Sequence, residues 1–410
     1  LGLKIKSEPF CGFGSLIPIH EVYFDPSWGG WVENGRLVPP KGWHRKVVMS
    51  AQRVRVKSAA GMYSVYIGDK ILPQGLQAHL PTKVPVAMLV DEGIAALPLT
   101  LAIFAWLEKR ASRVVRVRIP AGERSKSVEE YGRVVRQLAG AGLTRDGWIV
   151  AVGGGVTGDL AGFVAATYLR GLPVIQIPTT VVAMVDSSVG GKTGIDLPEG
   201  KNLVGAFHPP KAVLADLRWL ETLPLAEKRA GMAEVLKYGA IADSKLFGSL
   251  AKGPPRSMKK VVKRCVEIKA KLAGEDEMDR KGKRALLNFG HTVAHGLEGV
   301  VGYEGLRHGE AVAIGMVVAA HLSVKARRFK KKAAEKLKAA IRAHGLPVTH
   351  PELRWDRLSP VMERDKKATT QGIRWVLLRK IGKADLVTGV TEKKIQLALE
   401  EVREGKLPKG

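Results

Sequence analysis

The chain has 410 residues, 45% of them hydrophobic, and a formal net charge of +27 from 66 basic and 39 acidic side chains. That length is too great for one ordinary compact core, so two domains are expected. No run of eighteen uncharged apolar residues or signal-peptide pattern is present, and Cys11 and Cys265 belong to no CxxC pair, so no membrane partner is expected and a reducing cytoplasm is.

The basic excess favours anionic partners without choosing among them. Its densest patch, Lys325–Ala339 (KARRFKKKAAEKLKA), has helical spacing and few aromatics nearby. It is read as a solvated helix face, and nucleic acid is not expected as a partner.

Residues 1–48 differ from the rest, with Trp28, Trp31 and Trp43 among Pro and Gly and no periodicity that would build an element. The first methionine is Met49. Residues 1–48 are therefore expected to be an atypical extension, either disordered or upstream of the true start. From Val54, RVRVKS and MYSVYIGD alternate as two short strands. A buried strand ending at Asp91–Glu92, a helix over Leu99–Lys109, a strand over Val114–Glu123, a helix over Val128–Ala139 and a strand over Trp148–Val152 follow. This alternation predicts an α/β layer with a mainly parallel sheet over residues 49–219. From about Leu220 helical patterns dominate: Ala226–Ile241, Met258–Leu272, Ala285–Glu298, Ala311–Val324 and Lys330–Ala343. Residues 220–410 are thus expected to form a mainly helical domain, with a late strand at Arg374–Leu378 and a closing helix at Glu392–Glu404.

The strand Trp148–Val152 runs into Gly153–Gly171, GGGVTGDLAGFVAATYLRG. Gly153, Gly155 and Gly158 satisfy G-x-G-x-x-G after a strand and before a helix. Such glycines allow a tight turn, and the helix amino end favours a pyrophosphate. The match departs from the usual dinucleotide pattern: it follows earlier βα units and has no clear acidic residue about twenty positions on. Glycines needed only for helix–sheet packing are the alternative. After Pro173–Ile177 comes a polar segment, expected as a 25-residue loop region, with Asp186, Lys192, Asp196, Lys201 and Asn202. Gly191–Lys192–Thr193 is not a P-loop, because Asp186 stands where its first glycine belongs. The charges suggest a polar ligand pocket, with an ordinary surface loop as the alternative.

In Ala226–Ile241, Glu234 and Lys237 lie one turn apart. They form either a solvated pair or an inward carboxylate in need of a cation. In ALLNFGHTVAHGLEGVVGYEGLRHGE, Ala285–Glu310, a helix through His291 and His295 puts both imidazoles on one face. A metal accepting that pair needs a further ligand, and Glu234 or His308 is available.

GGGVTGDLAGFVAATYLRG, IPTTVVAMVDSSVGGKTGID, GMAEVLKYG and LLNFGHTVAH, in that order and spacing, resemble the 3-dehydroquinate synthases of the shikimate pathway. The resemblance runs from about Val54 to the end, is strongest from Gly153 to Gly309, and leaves out residues 1–48. Sugar-phosphate cyclases, and more distantly glycerol-1-phosphate and glycerol dehydrogenases, share parts of the layout. The family implies an α/β nucleotide domain, a helical metal domain, a homodimer, tightly bound NAD and one divalent metal, zinc or cobalt. It also implies a phosphate-eliminating lyase acting on a small anionic sugar phosphate.

Carried over by position, the metal ligands are Glu234, His291 and His308, which releases His295 from ligation. The NAD positions are Asp91 (with Glu92 as rival), Gly122, Glu123, Lys126, Gly155, Val156, Thr157, Gly158, Asp159, Thr179, Thr180, Lys192 and Lys201. Those for substrate are Arg170, Lys192, Asn202, Lys237, Lys269, Asp279, Arg284, Asn288, His295 and Lys380, with Arg170 reaching a neighbouring subunit. The catalytic set is Asp186, Lys192, Lys237, Asn288 and His295. One extra residue separates Lys269 from Arg284, so Asp279 is taken for the family's glutamate, with Arg280 the other choice. Lysines and arginines suit an anionic substrate through charge-assisted hydrogen bonds. His295 near Asn288 suits general acid–base work, while the leaving phosphate is a second acceptor for the elimination proton.

Overall fold

The structure, a computed structural model, describes residues 22–25, 30–33, 36–38, 51–277, 282–302, 305–364 and 373–408. Three short strands, β1 (Val22–Asp25), β2 (Gly30–Glu33) and β3 (Arg36–Val38), pair antiparallel. They correct the expectation that residues 1–48 build no element. Glu33 pairs with Arg36 across the dipeptide Asn34–Gly35.

The alternation after Ala51 becomes β4 (Gln52–Ser58) and β5 (Gly61–Gly68), joined antiparallel. Then follow α1 (Leu72–His79), β6 (Pro85–Asp91), α2 (Pro98–Glu108), β7 (Arg113–Ile119), α3 (Val128–Gly140), β8 (Trp148–Gly153), α4 (Gly155–Thr167) and β9 (Val174–Pro178). The 25-residue loop region is largely ordered: a turn of π-helix at Ala183–Ser187 precedes a hairpin, β10 (Lys192–Leu197) and β11 (Gly200–Phe207). Its glycines explain why it reads as a loop. Gly194 and Gly205 face each other where a β-carbon on either would meet the other strand's backbone, so the hairpin is built on backbone contact and carries little apolar pattern.

After β12 (Ala212–Asp216), a seven-stranded sheet is complete in the order β4-β5-β12-β9-β8-β6-β7, parallel except at β4–β5. Alternate residues of β6 enter two cores: Val86, Met88 and Val90 one, Ala87 and Leu89 the other. Each fully buried Val or Leu contributes about 1.5–3 kcal/mol. From β6 the chain crosses to β7 on one side and later to β8 on the other. That reversal opens a crevice at the carboxyl ends of β6 and β8, where open α/β sheets bind ligands.

The remainder is mostly helical: α5 (Trp219–Thr222), α6 (Leu225–Ala242), α7 (Ser244–Leu250), α8 (Met258–Glu275), α9 (His291–Val301), α10 (His308–Lys325), α11 (Lys331–Ala343), α12 (Trp355–Arg364) and α13 (Glu392–Arg403). One antiparallel hairpin, β13 (Trp375–Lys380) and β14 (Lys383–Val387), interrupts it. Helix α10 is buried along almost its whole length, as expected for a helix apolar on all sides at the centre of a bundle. One core runs from the β4–β5 face of the sheet into these helices. Among the described residues no helix is long and apolar enough to cross a membrane.

Candidate metal and nucleotide site

Three elements deliver the metal-ligand candidates: α6 carries Glu234, α9 opens with His291, and α10 opens with His308. The expected helix through Ala285 is broken. Arg284–Asn288 is a 3-10 turn, and Gly290 takes a left-handed φ of +85° before α9 begins. A β-carbon at Gly290 would also sit 2.8 Å from the Met316 nitrogen, so only glycine allows this approach to α10. Gly309 acts similarly: a β-carbon there would lie 1.9 Å from the Ala230 carbonyl oxygen, one turn before Glu234. Glu310 accepts from the Arg307 N–H at 3.0 Å, a cap that starts α10 at His308.

Donor atoms of Glu234, His291 and His308 lie within 4.8 Å of one another. Glu234 Oε1 is 3.4 Å from His291 Nε2 and 3.4 Å from His308 Nε2. Two donors held at about 2.0–2.1 Å by one tetrahedral ion stand about 3.4 Å apart. Both Glu234 oxygens are buried, and among the described residues neither has an aligned hydrogen bond. Lys237 Nζ is 2.5 Å from Oε2. The alternatives for Glu234 and Lys237 are thereby settled, because both are fully buried.

The far sides of the imidazoles are held. His291 Nδ1 faces the Phe289 carbonyl at 3.3 Å and His308 Nδ1 faces Glu298 Oε1 at 3.1 Å. A bound metal would keep the protons on Nδ1 and take both Nε2 atoms, which face Glu234, with His308 giving up its second proton on binding. Burial alone would raise the Glu234 carboxyl, but Lys237 and His291 hold it well below its usual range. Burial and Lys237 push His291 down to about 4. Burial also acts to lower His308, but Glu234 and Glu298 outweigh it and raise the imidazole to about 10. These three side chains therefore fit a divalent cation, with one hard and two borderline donors converging on one point.

Beside the triad, Asp186 pairs with Lys269 and lies 4.0 Å from Lys237 Nζ. Lys269 Nζ also donates to the Asp186 carbonyl at 2.6 Å. Burial acts to raise the Asp186 carboxyl, but Lys269 and Lys237 pull it far below the ordinary range. Burial lowers the Lys269 ammonium, with Asp186 opposing. Two buried ammonium groups beside a cation site suit an anionic substrate.

At the sheet's switch point, Asp91 closes β6 and accepts from the Gly93 N–H at 2.9 Å. Gly155, Val156, Thr157, Gly158 and Asp159 occupy the first turn of α4, whose N–H groups point along the helix axis toward that crevice. A β-carbon at Gly154 would meet Thr180 at 3.2 Å, one at Gly155 would meet Ser187 at 3.2 Å and one at Gly158 would meet Gln176 at 3.0 Å, so these glycines also serve the packing of the turn against β9 and the segment after it. Thr179 donates its N–H to the Gly153 carbonyl at 2.9 Å. Lys126 Nζ reaches Asp159 Oδ2 at 3.0 Å and Asn202 Oδ1 at 2.6 Å, with Glu123 Oε1 at 3.8 Å. Gly122, at a φ of +99°, turns the chain into this cluster. The helix amino end and the charged and amide side chains gathered beside it suit the polar groups of a dinucleotide.

Two adjoining family models match residues 116–368: 3-dehydroquinate synthase N-terminal over residues 116–230 and 3-dehydroquinate synthase C-terminal over residues 231–368. The 3-dehydroquinate synthase of Symbiobacterium thermophilum is 42% identical over 353 residues, 83% of this chain and 98% of the relative. This chain belongs to the 3-dehydroquinate synthase family. The synthase of Methylacidiphilum infernorum is 41% identical over 358 residues, 86% of this chain and 99% of its own. Among solved structures, 2-epi-5-epi-valiolone synthase from Streptomyces hygroscopicus subsp. jinggangensis, with NAD+ and Zn2+ bound, aligns with a TM-score of 0.78 at 28% identity, covering 84% of this chain and 97% of that one. A 2-deoxy-scyllo-inosose synthase complexed with carbaglucose-6-phosphate, NAD+ and Co2+ aligns with a TM-score of 0.75 at 26% identity, covering 86% and 99%.

Of the other positions carried over from the 3-dehydroquinate synthases, His295 adjoins the triad, with its ring centroid 6.5 Å from that of His308. Lys192 opens β10 with an exposed side chain, and Lys380 ends β13 exposed. Arg170 is exposed at a left-handed φ of +68°, directly after Leu169 at +50°. Asn288 is exposed at the end of the 3-10 turn, and His295 is half-buried with its ring centroid 5.7 Å from that of His291. The Arg284 guanidinium is buried and donates to the carbonyls of Gly190 at 3.3 Å and Glu277 at 2.9 Å. Asp279, like Arg280, lies outside the described residues.

Two residues that sequence reasoning missed join the site. The Tyr238 hydroxyl lies 2.8 Å from Asp186 Oδ1 and 3.0 Å from the Val185 carbonyl. Glu298 receives His308 and Lys201. Glu298 lies seven residues after His291 on the same helix, and that spacing was the signal available for it.

Proposed function

We propose that this chain converts 3-deoxy-D-arabino-heptulosonate 7-phosphate to 3-dehydroquinate and phosphate, as a homodimer in the cytoplasm. The observation that carries this reading is the meeting of Glu234, His291 and His308 beside the buried Lys237–Asp186–Lys269 cluster. NAD binds at the glycine-rich turn after β8, and the divalent ion, zinc or cobalt, at Glu234, His291 and His308. When bound, the ion supplies Lewis acidity at a substrate hydroxyl and NAD supplies a hydride acceptor that is regenerated within one cycle.

The chain's own residues do the rest. Lys237 and Lys269 neutralise the substrate's anionic groups, and Asp186, fixed by Tyr238, keeps both ammonium groups in place. Arg284 secures Gly190 at the base of the β10–β11 hairpin, which presents Lys192 and Asn202. His295 is not one of the three metal ligands and moves a proton at a ring nitrogen while Asn288 orients substrate. Glu123, Lys126, Asp159, Thr179 and Thr180 line the nucleotide side, and Asp91 meets the adenosine ribose. Arg170 and Lys380 approach substrate from the periphery, Arg170 in the neighbouring subunit.

Purified protein with NAD and zinc or cobalt should release inorganic phosphate from the heptulosonate phosphate with no net accumulation of reduced nicotinamide. Absence of phosphate release under those conditions sinks the assignment. A panel of other sugar phosphates tests the substrate, because loss of Lys269 should matter most for a carboxylate-bearing one. Light scattering tests the dimer, and a monomer at assay concentration would refute it.

A further inference from the structure

Helix α9 carries a carboxylate that no ligand or substrate role explains. Glu298 is 3% exposed and lies two turns along from His291. Its Oε1 receives two partners from different layers of the molecule: His308 Nδ1 at 3.1 Å from α10, and Lys201 Nζ at 3.2 Å from β11 of the hairpin. The same Lys201 Nζ lies 3.5 Å from Glu123 Oε1, in the loop after β7. Glu298 Oε2 is buried and has no hydrogen-bond partner among the described residues, so all of its bonding is spent through one oxygen.

The geometry points to Glu298 as a positioning residue that orients His308 for the metal and, through the same oxygen, anchors the Lys201 end of the hairpin to the helical layer. This deepens the function proposed above and rests on that reading. The chemical argument has two parts. A carboxylate on Nδ1 fixes the imidazole tautomer, leaves Nε2 as the donor and makes it a better base. A lysine shared between Glu123 and Glu298 ties the loop after β7 to α9, so nucleotide-side and metal-side residues are held in one register across the crevice. Removing the Glu298 charge takes from His308 the carboxylate that holds its Nδ1 and takes from Lys201 its tie to α9.

The test uses the full chain with Co2+ and NAD as probes. Glu298→Gln should weaken Co2+ binding about 10–100-fold and alter the visible Co2+ absorption spectrum. It should also weaken NAD binding, titrated without metal, about fivefold, the equivalent of one net hydrogen bond. A merely structural role would lower the urea midpoint while the folded protein kept wild-type Co2+ affinity and spectrum, and that result overturns the proposal. Unchanged NAD affinity overturns the link to Lys201. If Glu298→Gln does not fold, Glu298→Asp, which keeps the charge but withdraws it by one methylene, should show the same losses, and wild-type Co2+ affinity in it is equally fatal. Wild-type protein that binds neither probe would instead defeat the functional reading itself, so the two failures are distinct.

Discussion

The carbonyl oxygen of Ala230 lies 1.9 Å from the point where a β-carbon on Gly309 would stand. Helix α10 therefore meets α6 at glycine contact, one residue from His308 and one turn from Glu234. Gly309→Ala must push the helices apart. The expected cost is at the upper end of about 1–3 kcal/mol, seen as a lower urea midpoint, with loss of bound metal in the protein that remains folded. Full metal occupancy at unchanged stability would show that this approach does not hold the site.

His291 and His295 share a helix face, yet only His291 Nε2 is directed at Glu234. His291→Ala should reduce bound metal to background, measured by elemental analysis after gel filtration. His295→Ala should keep its metal and lose about 10²–10⁴-fold in kcat, the usual share of a general acid–base group. Equal loss of metal in both variants would contradict the division.

Tyr238 is buried on α6 with its hydroxyl on Asp186, and burial raises that hydroxyl well above its usual range, so it stays a neutral donor. Tyr238→Phe deletes one hydrogen bond to a charged group. Stability should fall by about 1.5–3 kcal/mol, and kcat should fall while NAD affinity holds. Unchanged kcat would mean that Asp186 needs no help from this hydroxyl.

His321 on α10 lies 3.2 Å from Glu401 Oε2 on α13, and Lys325 holds Glu401 Oε1 at 2.8 Å. Burial lowers the His321 pKa despite Glu401. The unfolded chain then takes up a proton near about pH 6.5, where the folded one does not. Stability is full above that point and falls as pH drops toward the lower folded value, by at most about 1.4 kcal/mol per pH unit. His79 and His344 are lowered too, so the comparison must be with His321→Gln. The drop in urea midpoint from pH 7.5 to 5.5 should be smaller in that variant. An identical drop would exclude His321 as a contributor.

Much of the sheet was legible because its information is local. The alternation in β4 and β5, the apolar run of β6 and the glycines after β8 each report their own surroundings within a few residues. The chemical types at Glu234, His291 and His308 were legible for the same reason, once four motifs stood in series. Where glycine replaces pattern, local signals failed: the β10–β11 hairpin reads as a loop, and the left-handed Gly290 ends an apparent helix that its neighbours favour.

By itself the sequence determined an α/β layer followed by helices, a glycine-rich turn at a helix start, and a supply of histidine, glutamate and lysine in the right stretches. Tertiary structure alone decided which of them meet. Glu234, His291 and His308 begin on three helices, and close glycine contacts bring their donor atoms within 4.8 Å. Tyr238 finds Asp186 across 52 positions and Glu298 finds Lys201 across 97. Such contacts depend on helix approach distances and the closure of long loops, and no period of 2 or 3.6 residues encodes either.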